Sequence, residues 1–246
     1  MREVAALALE NFRVHATFPS RGIPAARIEE SGALTWLDSG LDTDTFNLVL
    51  GARLDGESVP ARAAEVVAHF AKVRRPFSWW VSPGDRPGDL GERLVAAGLA
   101  LEERELAMSC PLDRLRPAAR ASALEIQRVA TPEALAEFAR VSAENWTPPD
   151  DRVERYYARA AGRLLETGAP LRFYLARREG TAVAAVEIAA SAGTLGVYNL
   201  STRLAHRNAG IGGALLRVAL GEQRTETGAS LAVLQAAPAA SGLYRR

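Results

Sequence analysis

Cysteine and lysine are almost missing from this chain, which has one of each, Cys110 and Lys72. A single cysteine cannot form an intrachain disulfide, and Cys110 lies in an apolar run, Leu106 to Leu112, rather than beside bases; it is expected to be a buried small hydrophobe. With its only lysine at position 72, the chain has no Gly-Lys-Ser/Thr ending for a nucleotide-triphosphate loop. An excess of charge is missing as well: 30 Lys+Arg against 29 Asp+Glu leave a net charge of +1, so no global field favours nucleic acid or an anionic membrane surface. No apolar run is long enough for a membrane span. Met1 to Leu9 carries Arg2 and Glu3 and does not read as a signal segment, so a cytoplasmic location is expected.

The most informative stretch runs from Thr194 to Val218. An apolar strand (Leu195, Val197, Leu200) leads through a polar connection into Arg207-Asn208-Ala209-Gly210-Ile211-Gly212, and then a helix whose Ile211, Leu215 and Val218 recur at helical spacing. The first amides of that helix have no intrahelical acceptor, and the aligned peptide dipoles favour negative charge there. Glycines at 210 and 212 let backbone approach a bound group, Asn208 tolerates a left-handed conformation, and Arg207 adds a positive charge. The turn is an anion site in outline. A dinucleotide-binding turn, G-x-G-x-x-G, is excluded because Leu215 stands where its third small residue would be.

Arg207-x-x-Gly210-x-Gly212 between a strand and a helix resembles the acyl-CoA pyrophosphate loop of the GNAT superfamily of N-acetyltransferases. The resemblance extends to Tyr198-Asn199-Leu200-Ser201-Thr202 in the preceding strand, to the strand Leu231 to Ala236, and to Leu243-Tyr244-Arg245-Arg246. It covers about the last fifty residues well and reaches back more weakly to Leu124. It implies an α/β (α+β) fold with a mixed, mostly antiparallel twisted sheet flanked by helices. It also implies acetyl-CoA as cosubstrate, no metal, and transfer of an acetyl group to a primary amine of a small molecule or peptide. The alternative is a non-catalytic acyl-CoA-binding regulator or scaffold.

By the same resemblance, the acyl-CoA would lie between the parallel strands 197–202 and 231–236, held by Leu200, Ser201, Thr202 and the segment Arg207, Asn208, Ala209, Gly210, Ile211, Gly212 and Gly213. The backbone amide near Leu200 would face the oxyanion. Tyr244 would protonate the departing thiolate. Where some members carry a glutamate on the central strand this chain has Gly196, which leaves the base among Glu187, Tyr198, a water chain and, more weakly, His206. Glu187 shares a strand face with Val183, Ala185 and Ala189, and could equally point to solvent. Trp146 and Asn199 are the candidates for the acceptor side. Asp150 and Asp151 read better as a helix cap. A homodimer is among the assemblies left open.

Upstream, a strand over 45–50, a helix over 60–74 with Val66, Val67, Phe70 and Val73 on one face, a strand over 77–81, a helix over 89–97 and a strand over 105–112 follow one another. Of the pair Trp79 and Trp80, one is expected in a core and the other beneath a covering element. The helix ending Leu94-x-x-x-Gly98-Leu99 resembles the closing half of a GNAT domain, but no Arg-x-x-Gly-x-Gly occurs there. The expected organisation is therefore a smaller, degenerate GNAT-like domain over 1–116, a linker rich in proline and alanine, and a GNAT acetyltransferase domain over 123–246. That second domain is expected to lack its last strands in this sequence, and residues 1–45 give a mixed signal, a short apolar-periodic start at Val4, Leu7 and Ala8 and then a turn-rich stretch around Pro19, Gly22 and Pro24.

Overall fold

The computed structural model describes residues 2–115 and 124–245; most of the expected linker lies outside them. Two compact units, Met1–Arg104 and Glu105–Arg246, make up the chain. The first contains α1 (Arg2–Ser20), β1 (Arg27–Glu30), β2 (Thr35–Asp38), β3 (Leu48–Leu50), α2 (Val59–Val73), β4 (Ser78–Trp79) and α3 (Leu90–Ala96). Its sheet runs β1-β2-β3-β4. The first two pairings are antiparallel and β3 pairs with β4 in parallel, as a crossover through α2 requires.

The helix α1 includes the short apolar-periodic start at Val4, Leu7 and Ala8 and runs on well past it. Its buried Phe12 and Ala16 are flanked by equally buried Asn11 and Thr17, which break the apolar stripe when only sequence is read. In α2 the core face is Val59, Ala63, Val66 and Phe70 with Val73 packed against it; of the four residues expected there only Val67 is exposed. The tryptophans divide as expected: Trp79 packs on the core beneath α2 and α3, and the Trp80 ring meets Phe12 of α1 at 5.0 Å.

The second unit contains β5 (Leu106–Pro111), β6 (Glu125–Arg128), α4 (Pro132–Ala143), α5 (Asp151–Leu164), β7 (Leu171–Arg178), β8 (Thr181–Ser191), β9 (Thr194–Thr202), α6 (Ile211–Thr227), β10 (Leu231–Ala236) and the single turn α7 (Ser241–Tyr244). Six strands form a twisted sheet in the order β5-β10-β9-β8-β7-β6, antiparallel throughout except for β9 and β10. Glu179 and Gly180 both take positive φ, 51° and 76°, which matches the turn between β7 and β8 to the twist of its strands. One sheet face is covered by α6, whose Ile211, Leu215, Ala219 and Leu220 bury against Val186, Ile188, Leu195 and Val197. Burial of Leu215 and of Leu220 stabilises the unit by about 1.5–3 kcal/mol each. On the other face, under α4 and α5, the rings of Phe138, Tyr157 and Phe173 meet at 4.8 to 5.8 Å.

Two sequence expectations change here. The strand 105–112, assigned above to the first half, pairs antiparallel with β10 from Leu231↔Pro111 to Ala236↔Leu106. It therefore belongs to the second sheet and covers the β10 edge that would otherwise be bare. Cys110 is exposed, because β5 is the outermost strand of the sheet and five of its six residues are exposed. Among the described residues, no helix is long and apolar enough to cross a membrane.

Candidate functional site

The parallel pairing of β9 with β10 covers only Leu231↔Thr194, Ala232↔Leu195 and Val233↔Gly196. Beyond it β9 continues to Thr202 and β10 to Ala236 without further pairing between them. Part of the cause lies on the other side of β9: its register against β8 steps from Glu187↔Tyr198 to Ala185↔Ser201, so Asn199 and Leu200 together oppose Val186. Asn199 carries the bulge at φ 52°. Leu200 turns its side chain onto the core under α6.

The 207–213 loop follows the free end of β9. Asn208 at φ 62° and Gly210 at φ 75° both take the left-handed conformation, and Gly210 is the N-cap of α6. The helical ladder starts with Ala214 N donating to Gly210 O at 3.0 Å, so the amides of Ile211, Gly212 and Gly213 precede the first helical bond. Arg207 and Ala209 are exposed; the Arg207 Nε donates to Thr202 O at 2.9 Å and ties the loop to the strand. A Cβ on Gly212 would stand 3.1 Å from Thr202 Oγ1, so the glycine permits a close approach of helix and strand. Donors and a positive dipole end thus converge where the strands part.

Glu187 does not reach solvent. Its side chain is 0% exposed and its Oε2 accepts from Tyr157 OH at 2.8 Å and from Asn199 Nδ2 at 3.1 Å. Asn199 Nδ2 also donates to Tyr157 OH at 2.8 Å. Burial first, then the neighbouring Glu187 charge and its hydrogen bond, push the Tyr157 hydroxyl well above its ordinary value of 10.0. Burial and the same charge raise Tyr198. Both phenols stay protonated donors at any ordinary pH. Tyr157 gave no signal in the sequence, where it is one of two adjacent tyrosines on a helix.

The segment between α4 and α5 is pinned to the free end of β9. Glu144 pairs with Arg203 at 2.9 Å, and Asn145 Nδ2 donates to Ser201 Oγ at 2.5 Å. Trp146, the next residue, is 38% exposed. Asp150 caps α5 through the Arg152 amide, the reading favoured above. Tyr244 is half-buried against the core; burial and then the Glu105 charge raise its hydroxyl above 10.0. His206 lies in a short 3-10 turn, Leu204–His206, just before the loop.

The first unit has a comparable crossover, β3-α2-β4, and its loop reads Arg53-Leu54-Asp55-Gly56-Glu57-Ser58. The arginine and glycine keep the spacing of Arg207 and Gly210, a partial counterpart in which Ser58 stands where the other loop has Gly212. It is filled by its own chain. Asp55 Oδ1 accepts from the Ser58 amide at 2.8 Å, and that bond is the main reason its carboxyl lies below the usual range. The strands are rejoined beyond β4 by Arg86 N to Ala52 O at 2.8 Å and Leu54 N to Arg86 O at 3.1 Å. A recess of about 430 Å³ remains beside this seam, lined by Arg53, Leu54, Asp55, Gly84 and Arg86.

Neither a family model nor a curated protein sequence matches the chain. Among solved structures it is similar to a GCN5-related N-acetyltransferase from Kribbella flavida, with a TM-score of 0.69 and 20% identity over 93% of this chain and 86% of that one. It is also similar to a functionally unknown conserved protein from Staphylococcus epidermidis, with a TM-score of 0.63 and 13% identity over 91% and 89% of the two chains. Likeness at this identity is likeness of fold, and with the strand order, the parted parallel pair and the loop before α6 it establishes that the chain has the GNAT fold.

Proposed function

We propose that the second unit transfers an acetyl group from acetyl-CoA directly to a primary amine of a small molecule or peptide. The observation that carries this reading is the gap between β9 and β10, which opens beside unpaired helix-start amides and is bordered on the other side by the pinned α4–α5 segment. The pyrophosphate is held by the amides of residues 211–213 with Arg207, and the pantetheine arm runs along Leu200, Ser201 and Thr202. Asn208 and Ala209 replace a glycine and a basic residue common in GNAT loops, which weakens binding without abolishing it.

The amine nitrogen attacks the thioester carbon, and the carbonyl oxygen, now negative, is met by the Leu200 N–H. The C–S bond then breaks and the sulfur takes the Tyr244 hydroxyl proton, which is restored from the proton the amine gives up. A raised Tyr244 value suits this step, since the group is protonated whenever the thiolate forms. Trp146 faces the acceptor. The test is acetyl-CoA consumption with a panel of primary amines, compared with Tyr244→Phe. Amine-dependent turnover that falls in the variant supports the reading. Tight acetyl-CoA binding with no turnover for any amine favours a binding protein instead.

A further inference from the structure

The Asn199–Leu200 peptide is held from both ends. At one end the Asn199 side chain is fixed by Tyr157 OH and Glu187 Oε2, groups supplied by α5 and β8. At the other the Asn199 carbonyl accepts from Ser201 Oγ at 3.2 Å, and Ser201 Oγ in turn accepts from Asn145 Nδ2 at 2.5 Å. A peptide group is planar and trans, so the Asn199 C=O and the Leu200 N–H lie in one plane and point in opposite directions. Whatever fixes the carbonyl and the φ of 52° at Asn199 therefore fixes where the Leu200 hydrogen points. We infer that Tyr157 and Glu187 are positioning residues that, with Asn145 and Ser201, set the direction of the Leu200 N–H. The inference rests on the proposed role of that amide as the oxyanion donor.

The arrangement has the features such a task needs. Asparagine tolerates the left-handed φ of Asn199 better than most residues, but tolerance alone does not choose it; the surroundings must hold it there. The surroundings do so with three hydrogen bonds to one side chain and its partners, in a place where Glu187 and Tyr157 are wholly enclosed. Low dielectric strengthens such a network and penalises the loss of any member. The Glu187 carboxylate, with two donors on one oxygen and no exposure, acts through Asn199 rather than by taking a proton from the acceptor. The α4–α5 segment is coupled to the same peptide through Asn145, so an acceptor that moves Trp146 also acts on the donor's aim.

Tyr157→Phe keeps the ring among Phe138 and Phe173 and removes only the hydroxyl. In that variant the Leu200 amide resonance and its hydrogen exchange should change more than those of Thr194 to Gly196 at the paired end of β9. The kcat for the amine should fall roughly 10- to 100-fold, in the range of a misaligned oxyanion donor, while the affinity for acetyl-CoA and the amine KM stay within about twofold. Should Tyr157→Phe not fold, Ser201→Ala releases the peptide from its other end and must also move the Leu200 resonance. An unmoved Leu200 resonance in folded variants overturns the inference. So does a Glu187→Gln variant that shifts the acid limb of the kcat profile while Leu200 stays in place, since the carboxylate then acts as the base. Turnover by the wild type with Leu200 unmoved refutes the positioning alone; a moved Leu200 with no turnover by the wild type refutes the enzyme reading and leaves the positioning standing.

Discussion

Gly212→Glu is the perturbation that tests the 207–213 loop most directly. A Cβ at this position would stand 3.1 Å from Thr202 Oγ1, so the new side chain grows on the side of α6 that faces the free end of β9. Gly212 is not among the glycines with positive φ, and the backbone therefore accepts an L residue. The Thr202 side chain must give by a few tenths of an ångström to admit the new Cβ, and a glutamate in the first helical turn offsets part of that cost through the dipole, by about 0.3–1 kcal/mol, so circular dichroism first checks that the variant is folded. The ligand fares differently. Blocking one charge-assisted amide bond to the pyrophosphate costs about 1.5–3 kcal/mol, and a like charge about 4 Å away adds about 1–4 kcal/mol, depending on local dielectric. At 1.4 kcal/mol for each tenfold, the acetyl-CoA Kd should rise roughly 100-fold or more. Calorimetric titration measures it, with Gly221→Ala as the control: Gly221 lies in the same helix, its added Cβ meets nothing within 4 Å, and the change should raise stability by about 0.5–1 kcal/mol with Kd unchanged. A folded Gly212→Glu protein that binds acetyl-CoA as tightly as the wild type would refute the assignment of the loop. A wild type that does not bind at all would remove the function and leave the fold.

Further outcomes follow from the geometry. Acetyl-CoA should bind with a stoichiometry of one per chain, because the Arg53 loop is occupied by Asp55 and its strands are rejoined at Arg86; two sites by calorimetry would contradict this. Tyr244→Phe should lower kcat about 10- to 100-fold with little change in KM. In the wild type, the alkaline limb of kcat should lie above pH 10, since burial and Glu105 raise the phenol from 10.0. Burial lifts the Asp85 carboxyl from 3.8 to about 6 against the pull of the Ser82 amide and Arg53. Between those values the folded chain holds a proton that the unfolded chain has released, so stability falls as pH rises and the penalty is complete above about 6. Asp85→Asn should then gain about 1–2 kcal/mol at pH 7 and almost nothing near pH 4, read from thermal unfolding at both. A chain beginning at residue 123 lacks β5 and should aggregate through the bared edge of β10, whereas one beginning at 105 should stay soluble; light scattering separates them.

The elements with simple periodicity were legible in the sequence. The strand 231–236, the Asp150 cap and the glycines before α6 each follow from local chemistry, and each stands where the residues place it. What was not legible depends on partners far away in sequence. Nothing near Leu106 to Pro111 says that its partner strand begins at residue 231. Whether Glu187 faced solvent or core was open until α5 laid Tyr157 over it. In the first unit Arg53-x-x-Gly56 is a weak pattern, and only its position between two parallel strands gives it meaning. The later turns of α1 were hidden for the opposite reason, since buried Asn11 and Thr17 have polar names in a packed face.

The pairing of β5 with β10 also sets a timetable for synthesis. Leu106 to Pro111 leaves the ribosome well before the strand it pairs with, which starts about 120 residues later. At roughly 5–20 residues per second, that is about 6–24 seconds. During that interval the first unit can close on its own contacts, while an apolar strand of the second waits with its backbone donors unmet. The second sheet is completed only when residues 231–236 emerge, so its order of assembly runs opposite to its order in the chain at this one edge. A nascent chain stalled before that point carries a free strand, the kind of segment that chaperones bind.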